Sequence, residues 1–291
     1  YKFEESVVFN NCTFEKEVCL SDLLNAYVEF RNCDFKDQKL DLENKTFNKT
    51  FNLINCENIA SLNLESTSFM ESVSFVQSKL GQIDLIYTVF GGMAIFVETH
   101  FCKDVRFHYC SFEENVFFNE ATVHKTIDLK KAIFKKETNF LGIKNKDGEK
   151  LESDNIASRE TARIIKHSFE KIDNIIEANK FYALEMQKRE EELSTAKEKN
   201  WLDLIVFKFH KISSDHSQNW LLVLLWIINF SYAYKFLKDT YVYLPDTVLL
   251  IGFFVAFVNL VMLICEKFLF IKKLNCTTTA HFITIMLFLL Y

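Results

Sequence analysis

Large apolar residues punctuate the first half of the chain at intervals close to eleven. Taking one per unit gives Phe9, Leu20, Phe30, Leu42, Phe51, Leu64, Phe75, Leu85, Phe96, Phe107, Phe118, Leu129 and Phe140. The steps are 11, 10, 12, 9, 13, 11 and 10, followed by a run of 11. Five residues after most of these comes a second large residue: Phe14, Phe35, Phe47, Phe69, Leu80, Phe90, Phe101, Phe112, Val123 and Phe134. A branched aliphatic residue, such as Val7, Val28, Val73, Val105 or Val116, stands two before the first. A small residue stands two before the second: Cys12, Cys33, Thr67, Ser78, Thr88, Thr99, Cys110, Ala121 or Ala132. This spacing fits neither the 3.6-residue period of an amphipathic helix nor the alternation of one long strand. It predicts a chain that turns every five or six residues and points one large side chain inward from each short face. Two units then close one four-sided coil of about 22 residues, and about six coils stacked at about 4.8 Å form a rod roughly 30 Å long. Columns of Phe fill it, each buried ring contributing roughly 1.5–3 kcal/mol.

The inward Phe or Leu with a small residue two places before it resembles the pentapeptide-repeat family over about residues 3–144. That resemblance implies a right-handed quadrilateral β-helix for residues 1–144. The chain departs from the family in a period of eleven rather than ten, which places one extra residue, as a bulge, at a corner of each half-coil.

Residues 145–158 are expected to be a polar linker, and residues 159–214 a helical connector. Ala162, Ile165, Phe169, Ile172, Ile176, Asn179, Ala183, Met186 and Leu193 recur there mostly at steps of three and four. One reading is a heptad coiled coil that oligomerises the protein. The other, which we favour, is a hairpin broken at Asp173–Asn174, similar to a tetratricopeptide motif with Phe169, Ala178 and Tyr182 at its packing positions. Residues 169–190 also resemble a segment of membrane-anchored, channel-like bacterial pentapeptide-repeat proteins. Either arrangement caps the open end of the rod, whose unpaired strand edges invite aggregation.

Beyond residue 217 the pattern becomes continuous. Uncharged stretches at 217–234, 247–265 and 274–291 predict three transmembrane helices, the last truncated. Lys208, Lys211, Lys267, Lys272 and Lys273 flank the first two spans on one side, which places the β-helix in the cytoplasm and the 235–246 loop outside. The expected location is therefore a bacterial inner membrane, with a multi-pass chain. Asn229 and His281 are the speculative functional residues of the membrane region. The absence of an initial Met and the end within an apolar run suggest a piece of a longer protein.

Composition changes this picture little. The chain has 31 Phe and one Pro, consistent with a repeated aromatic niche and no Pro-rich linker. Eight Cys without CxxC spacing point to a reducing compartment. The net charge of −5 falls within the first 144 residues, which gives no basic footprint for nucleic acid and only a mild acidity. Cys12, Cys33 and Cys110 occupy the small-residue niche, where packing explains them without a metal. His210, Asp215 and His216 read as solvated residues beside a membrane, and so do Glu266 and Lys267. Sequons at Asn11, Asn44, Asn48 and Asn275 are expected by accident in an Asn- and Thr-rich chain. No phosphate loop, nucleophile elbow or HExxH motif is present, so no catalytic, cofactor-binding or metal site is expected. These features predict a non-enzymatic integral membrane protein presenting a cytoplasmic β-helix as a scaffold. Its partners would be membrane lipid, an unidentified protein and a possible second copy, but no nucleic acid. The alternatives are a subunit of an oligomeric channel and, with less support, a DNA-mimicking topoisomerase binder.

Overall fold

Parallel pairing recurs once per coil. On the first face Val7–Asn10, Val28–Arg31, Phe51–Ile54, Val73–Ser74, Ala94–Ile95, Val116–Phe117 and Thr138–Asn139 stack in chain order as a seven-stranded sheet. Val28 pairs with Val7, Phe51 with Val28, Val73 with Phe51, and so on up to Thr138 on Val116. A second, eight-stranded sheet covers the next two faces, because Asp34–Asp41, Glu57–Asn63 and Lys79–Asp84 run from one to the other. The fourth face is a five-stranded sheet of two-residue strands, from Thr46–Phe47 to Ile133–Phe134. The result is a four-sided parallel β-solenoid of about six coils. The computed structural model describes residues 6–18, 20, 25–195, 201–215 and 219–243. The chain divides into two units, Tyr1–Glu192 and Leu193–Tyr291, and the solenoid belongs to the first.

Register decides which rings meet. On the fourth face Phe47, Phe69, Phe90, Phe112 and Phe134 form one column, with successive centroids 5.2, 5.5, 4.6 and 4.7 Å apart and rings within 14° of parallel. On the first face Phe75, Phe96, Phe118 and Phe140 stack at 5.2, 4.8 and 4.8 Å. These separations are close to the strand spacing of about 4.8 Å, so the backbone ladder sets the stacking distance. Phe51 does not stand in that column. Leu53 pairs with Phe30, while Phe51 pairs with Val28 and Val73 and lies tilted between Phe30 and Phe75 at 6.3 and 6.4 Å. Phe51 is still fully buried. Phe35, Phe101 and Phe107 are fully buried in the same core, whereas Phe9 and Phe14 in the first coil and Phe134 in the last are partly covered.

The extra residue of each eleven is a left-handed corner. The Ser78 amide donates to Phe75 O at 3.3 Å, closing a turn whose third residue, Gln77, has φ of 54°. The same turn returns at Ser66, Glu98, Glu120 and Lys131, each with φ between 54° and 56°. It falls at every second corner. The small residue that follows does more than make room. Its side chain donates to a carbonyl one coil below: Thr67 to Leu42 (2.6 Å), Thr88 to Leu64 (2.7 Å), Thr99 to Phe75 (2.8 Å) and Ser78 to Leu53 (3.0 Å). Cys33 and Cys56 make the weaker thiol version to Phe9 and Phe30, both at 3.4 Å. Ala121 and Ala132, nearest the carboxyl-terminal end, have no group to offer.

A helix ends the stack. Inside the rod Phe107 and Tyr109 amides donate to Asp128 and Lys130 carbonyls of the coil above, at 2.8 and 3.0 Å. One coil higher the corresponding donors are Leu129 and Lys131. They donate instead to Thr161 Oγ1 (3.0 Å) and Glu160 Oε1 (3.1 Å), in the first turn of α1, Arg159–Lys171. Ser158 caps α1 by accepting from the Thr161 amide at 3.2 Å. The segment expected as a polar linker packs onto the rod: Leu151 and Ile156 are buried, and Ile156 bridges to Ile127. After α1 the chain turns at Asp173, with φ of 57°, into α2, Ile175–Thr195. Phe169 and Phe181 stack across this hairpin at 5.6 Å.

The second unit contributes α3, Trp201–Ser214, and α4, Trp220–Tyr243, joined by a Trp226 Nε1 bond to Ile212 O at 3.2 Å. Among the described residues no helix is long and apolar enough to cross a membrane. The expected transmembrane helix at 217–234 is therefore corrected. Asn219 precedes α4 as its cap, accepting from the Leu222 amide at 3.1 Å, and Lys235 interrupts the apolar run. The uncharged part between them rises only about 22 Å at 1.5 Å per residue, short of the roughly 30 Å of a hydrocarbon core. The orientation drawn from the flanking Lys residues rested on that span and on the second. The second and third expected spans, 247–265 and 274–291, lie outside the described residues.

Two stability measurements check this account. Thr99→Val should lower unfolding free energy by roughly 0.5–1.5 kcal/mol by removing the cross-coil bond to Phe75 O, which keeps only the Ser78 amide, with Thr99→Ser retaining most of the stability. Equal urea midpoints for the two variants would remove the coupling role of the ladder. Thr161→Val should speed hydrogen exchange at the Leu129 amide selectively, because its acceptor is lost.

Candidate binding surface

The outward positions of each coil also stack, so the rod carries ordered rows of polar side chains. Cross-coil ion pairs join Lys49 to Glu71 (3.0 Å), Lys79 to Glu57 (3.0 Å), Lys135 to Glu113 (2.6 Å) and Lys144 to Glu120 (3.1 Å). Such exposed pairs contribute little stability individually. Their consequence is electrostatic, since carboxylates that would form an acidic stripe are neutralised by the next coil. Lys49 holds the Glu71 carboxyl below its usual range, and Lys135 does the same for Glu113. His108 lies 2.7 Å from Asp128, and burial together with His124 pushes the His100 pKa down.

One corner breaks this polar pattern. Tyr87 and Tyr109 occupy equivalent left-handed corners on successive coils, with φ of 56° and 57°, and their rings stack at 5.0 Å while remaining 55% and 40% exposed. Lys131, at the same corner one coil up, stands 4.9 Å over the Tyr109 ring. Beside this ladder the outward positions Val89 and Ile133 are exposed, separated by Ser111 in the same row. The sequence reading missed these tyrosines because they fall outside the eleven-residue core pattern. Their signal is a 22-residue one: each stands two places after an inward residue, Leu85 or Phe107.

The other sequence candidates lie elsewhere. Cys12, Cys33 and Cys56 share one corner ladder, and Cys110 stands in the other. Burial pushes the Cys56 and Cys110 thiols up to about 12 and raises Cys33, which leaves them neutral at ordinary pH and poor ligands or nucleophiles. Among the described residues no group of His, Cys, Asp and Glu is arranged to hold a metal ion. Asn229 donates to Leu225 O at 2.8 Å within its own helix. His210 accepts through its carbonyl from Ser213 and Ser214 on α3. Of the sequons, Asn11 and Asn44 take left-handed corners and Asn48 donates to Asn25 Oδ1 at 2.6 Å. His216, Asn275 and His281 lie outside the described residues.

A charged clamp fixes the hairpin beside the rod. Glu185, buried on α2, accepts from Arg163 at 3.0 Å and Lys166 at 2.9 Å on α1. No family model, curated protein or solved structure matches the chain, so the meaning of this surface rests on its own geometry.

The clamp has a pH signature. Burial pushes the Glu185 pKa up, but the bonds from Lys166 and Arg163 outweigh it and leave the carboxyl below its usual 4.5. Its stabilisation is therefore complete above the unfolded value and is lost as pH falls through the lower folded value. Glu185→Gln should cost roughly 1–3 kcal/mol at neutral pH and flatten the decline of thermal midpoint below about pH 4.5. An unchanged acid limb would dismiss Glu185 as its source.

Proposed function

We propose that this protein is a non-enzymatic scaffold, a rod of pentapeptide-repeat type whose ordered outer rows dock another protein. The stacked, exposed Tyr87–Tyr109 pair flanked by Val89 and Ile133 carries this reading. Aromatic side chains of this kind anchor protein interfaces, because they offer large contact area at low conformational cost. Here the coil stack orders both rings, so less freedom is lost on binding. The neutral thiols and the polar groups engaged in ladders and ion pairs support a structural rather than catalytic use of the rod. The interleaved Lys and Glu rows favour a protein partner over mimicry of a DNA backbone, which needs an unbroken acidic face.

Immobilised protein should retain a partner from cells that express it, and Tyr87→Ser/Tyr109→Ser should weaken that purified complex by about thirtyfold or more in Kd. The circular dichroism of the variant should be unchanged, since both rings lie outside the core. Equal affinity for the two proteins would dispose of the tyrosine corner as the docking site.

A further inference from the structure

Three cysteines sit directly above one another in the first coils of the rod. Thr13 bridges to Asp34 and Asp34 pairs with Glu57, both in parallel register, so Cys12, Cys33 and Cys56 take equivalent places on successive coils. The backbone bonds repeat with them: the Asp34 amide donates to Cys12 O at 2.9 Å and the Glu57 amide to Cys33 O at 3.0 Å. The side chains point the same way. Each thiol faces the carbonyl two residues earlier, Asn10 at 3.5 Å, Arg31 at 3.4 Å and Ile54 at 3.6 Å.

The lowest thiol differs from the two above it. Cys33 and Cys56 are fully buried and also donate to a carbonyl of the coil below, Phe9 O and Phe30 O. Cys12 is only partly covered, and among the described residues its one bond is to its own coil. An oxidant from solvent therefore meets this ladder at Cys12. The coil that carries Cys12 is also less covered than the next. Phe9 and Phe14 are partly buried, whereas Phe30 and Phe35, which stack on them, are fully buried.

We propose that Cys12 and Cys33 form a reversible disulfide site that responds to peroxide and staples the first coil to the second. Residues stacked across a parallel ladder stand about 4.8 Å apart, within the roughly 4.4–6.8 Å Cα separation of disulfides. The Cys12 sulfur attacks one peroxide oxygen, the O–O bond breaks, and the other oxygen leaves with the thiol proton as water. Cys33 then attacks the sulfenic sulfur of Cys12. The S–S bond forms as the S–O bond breaks, and the hydroxyl leaves with the Cys33 proton as a second water. Two thiols are oxidised and one peroxide is reduced. Burial raises the Cys33 pKa, which slows it as a free nucleophile, but its place against Cys12 gives it a high effective concentration. The site is independent of the tyrosine corner and stands or falls without it.

The test treats the reduced full chain with a small excess of hydrogen peroxide, caps the remaining thiols with N-ethylmaleimide and maps disulfides by mass spectrometry. A Cys12–Cys33 peptide pair is expected, and dithiothreitol should release it. In Cys33→Thr, Cys12 should stop at sulfenic acid and take up dimedone. Thr67, Thr88 and Thr99 fill the same niche on other coils, so that variant should keep the fold. Cys56→Thr should leave the pair intact. Oxidation should also slow hydrogen exchange of the Asn11 and Phe14 amides, which donate to Arg31 O and Asp34 O, by roughly tenfold or more. A Cys12 that stays a free thiol in the peroxide-treated wild-type chain, or bonds a cysteine other than Cys33, overturns the proposal. So does the same pair at equal yield in urea, which would assign it to chain proximity, and so do unchanged exchange rates once the bond has formed.

Discussion

A residue with a side chain held at φ near +55° is strained by roughly 1 kcal/mol or more, and this rod repeats that strain at every second corner. At Ser66, Gln77 and Glu98 the corner survives because three bonds over-determine it. The following small residue closes the turn through its amide, its hydroxyl or thiol reaches the carbonyl one coil below, and the corner amide itself bonds the coil above. Together they keep successive coils in phase. Phase in turn sets the Phe columns, since rings repeat at the distance the strands impose. Asn, which tolerates this conformation, takes many of the early corners (Asn11, Asn32, Asn44, Asn55), but later ones go to Gln77, Glu98, Glu120 and Lys131. The stack, rather than residue preference, dictates the corner.

This dependence explains what could be read from residues alone. Spacing reports which side chains point inward, and the core was legible to that extent. Register is subtler. The steps of 9 and 13 on either side of Phe51 are the trace of a misplaced member: with Leu53 in its place both become 11. The step of 12 from Phe30 to Leu42 then marks an inserted residue, at Lys36 and Asp37 with φ of 46° and 60° and a break in the pairing register. The small-residue niche was visible as a volume constraint, but its hydrogen bond was not, because Ala, Cys, Ser and Thr satisfy the same size rule.

The tyrosine corner and the helical end of the rod were illegible for different reasons. Tyr87 and Tyr109 are ordinary residues in an eleven-residue frame and become neighbours only when two units close one coil. The Thr161 and Glu160 acceptors depend on where a helix lands, which no local pattern encodes. The expected membrane helix at 217–234 erred by counting uncharged residues without asking where the helix starts. Asn219 is uncharged but serves as a cap, so it adds nothing to a hydrophobic span.

Ending a β-solenoid requires a change of geometry, and the two kinds of element cannot match along a whole edge. A coil offers backbone acceptors at even spacing, whereas a helix offers side-chain acceptors only where its first turn touches down. In this rod the touchdown satisfies Leu129 and Lys131, and the rest of the edge relies on apolar cover from Ile164, Ile165 and Phe169. A Val at position 138 would extend that apolar cover without an unpaired group. A Thr there leaves a buried hydroxyl uncompensated, at a cost that packing alone gives no reason to bear. The strain at the corners is repaid by the coils above and below, but Thr138 has no coil above it, and its hydroxyl is left without a partner among the described residues where the rod ends.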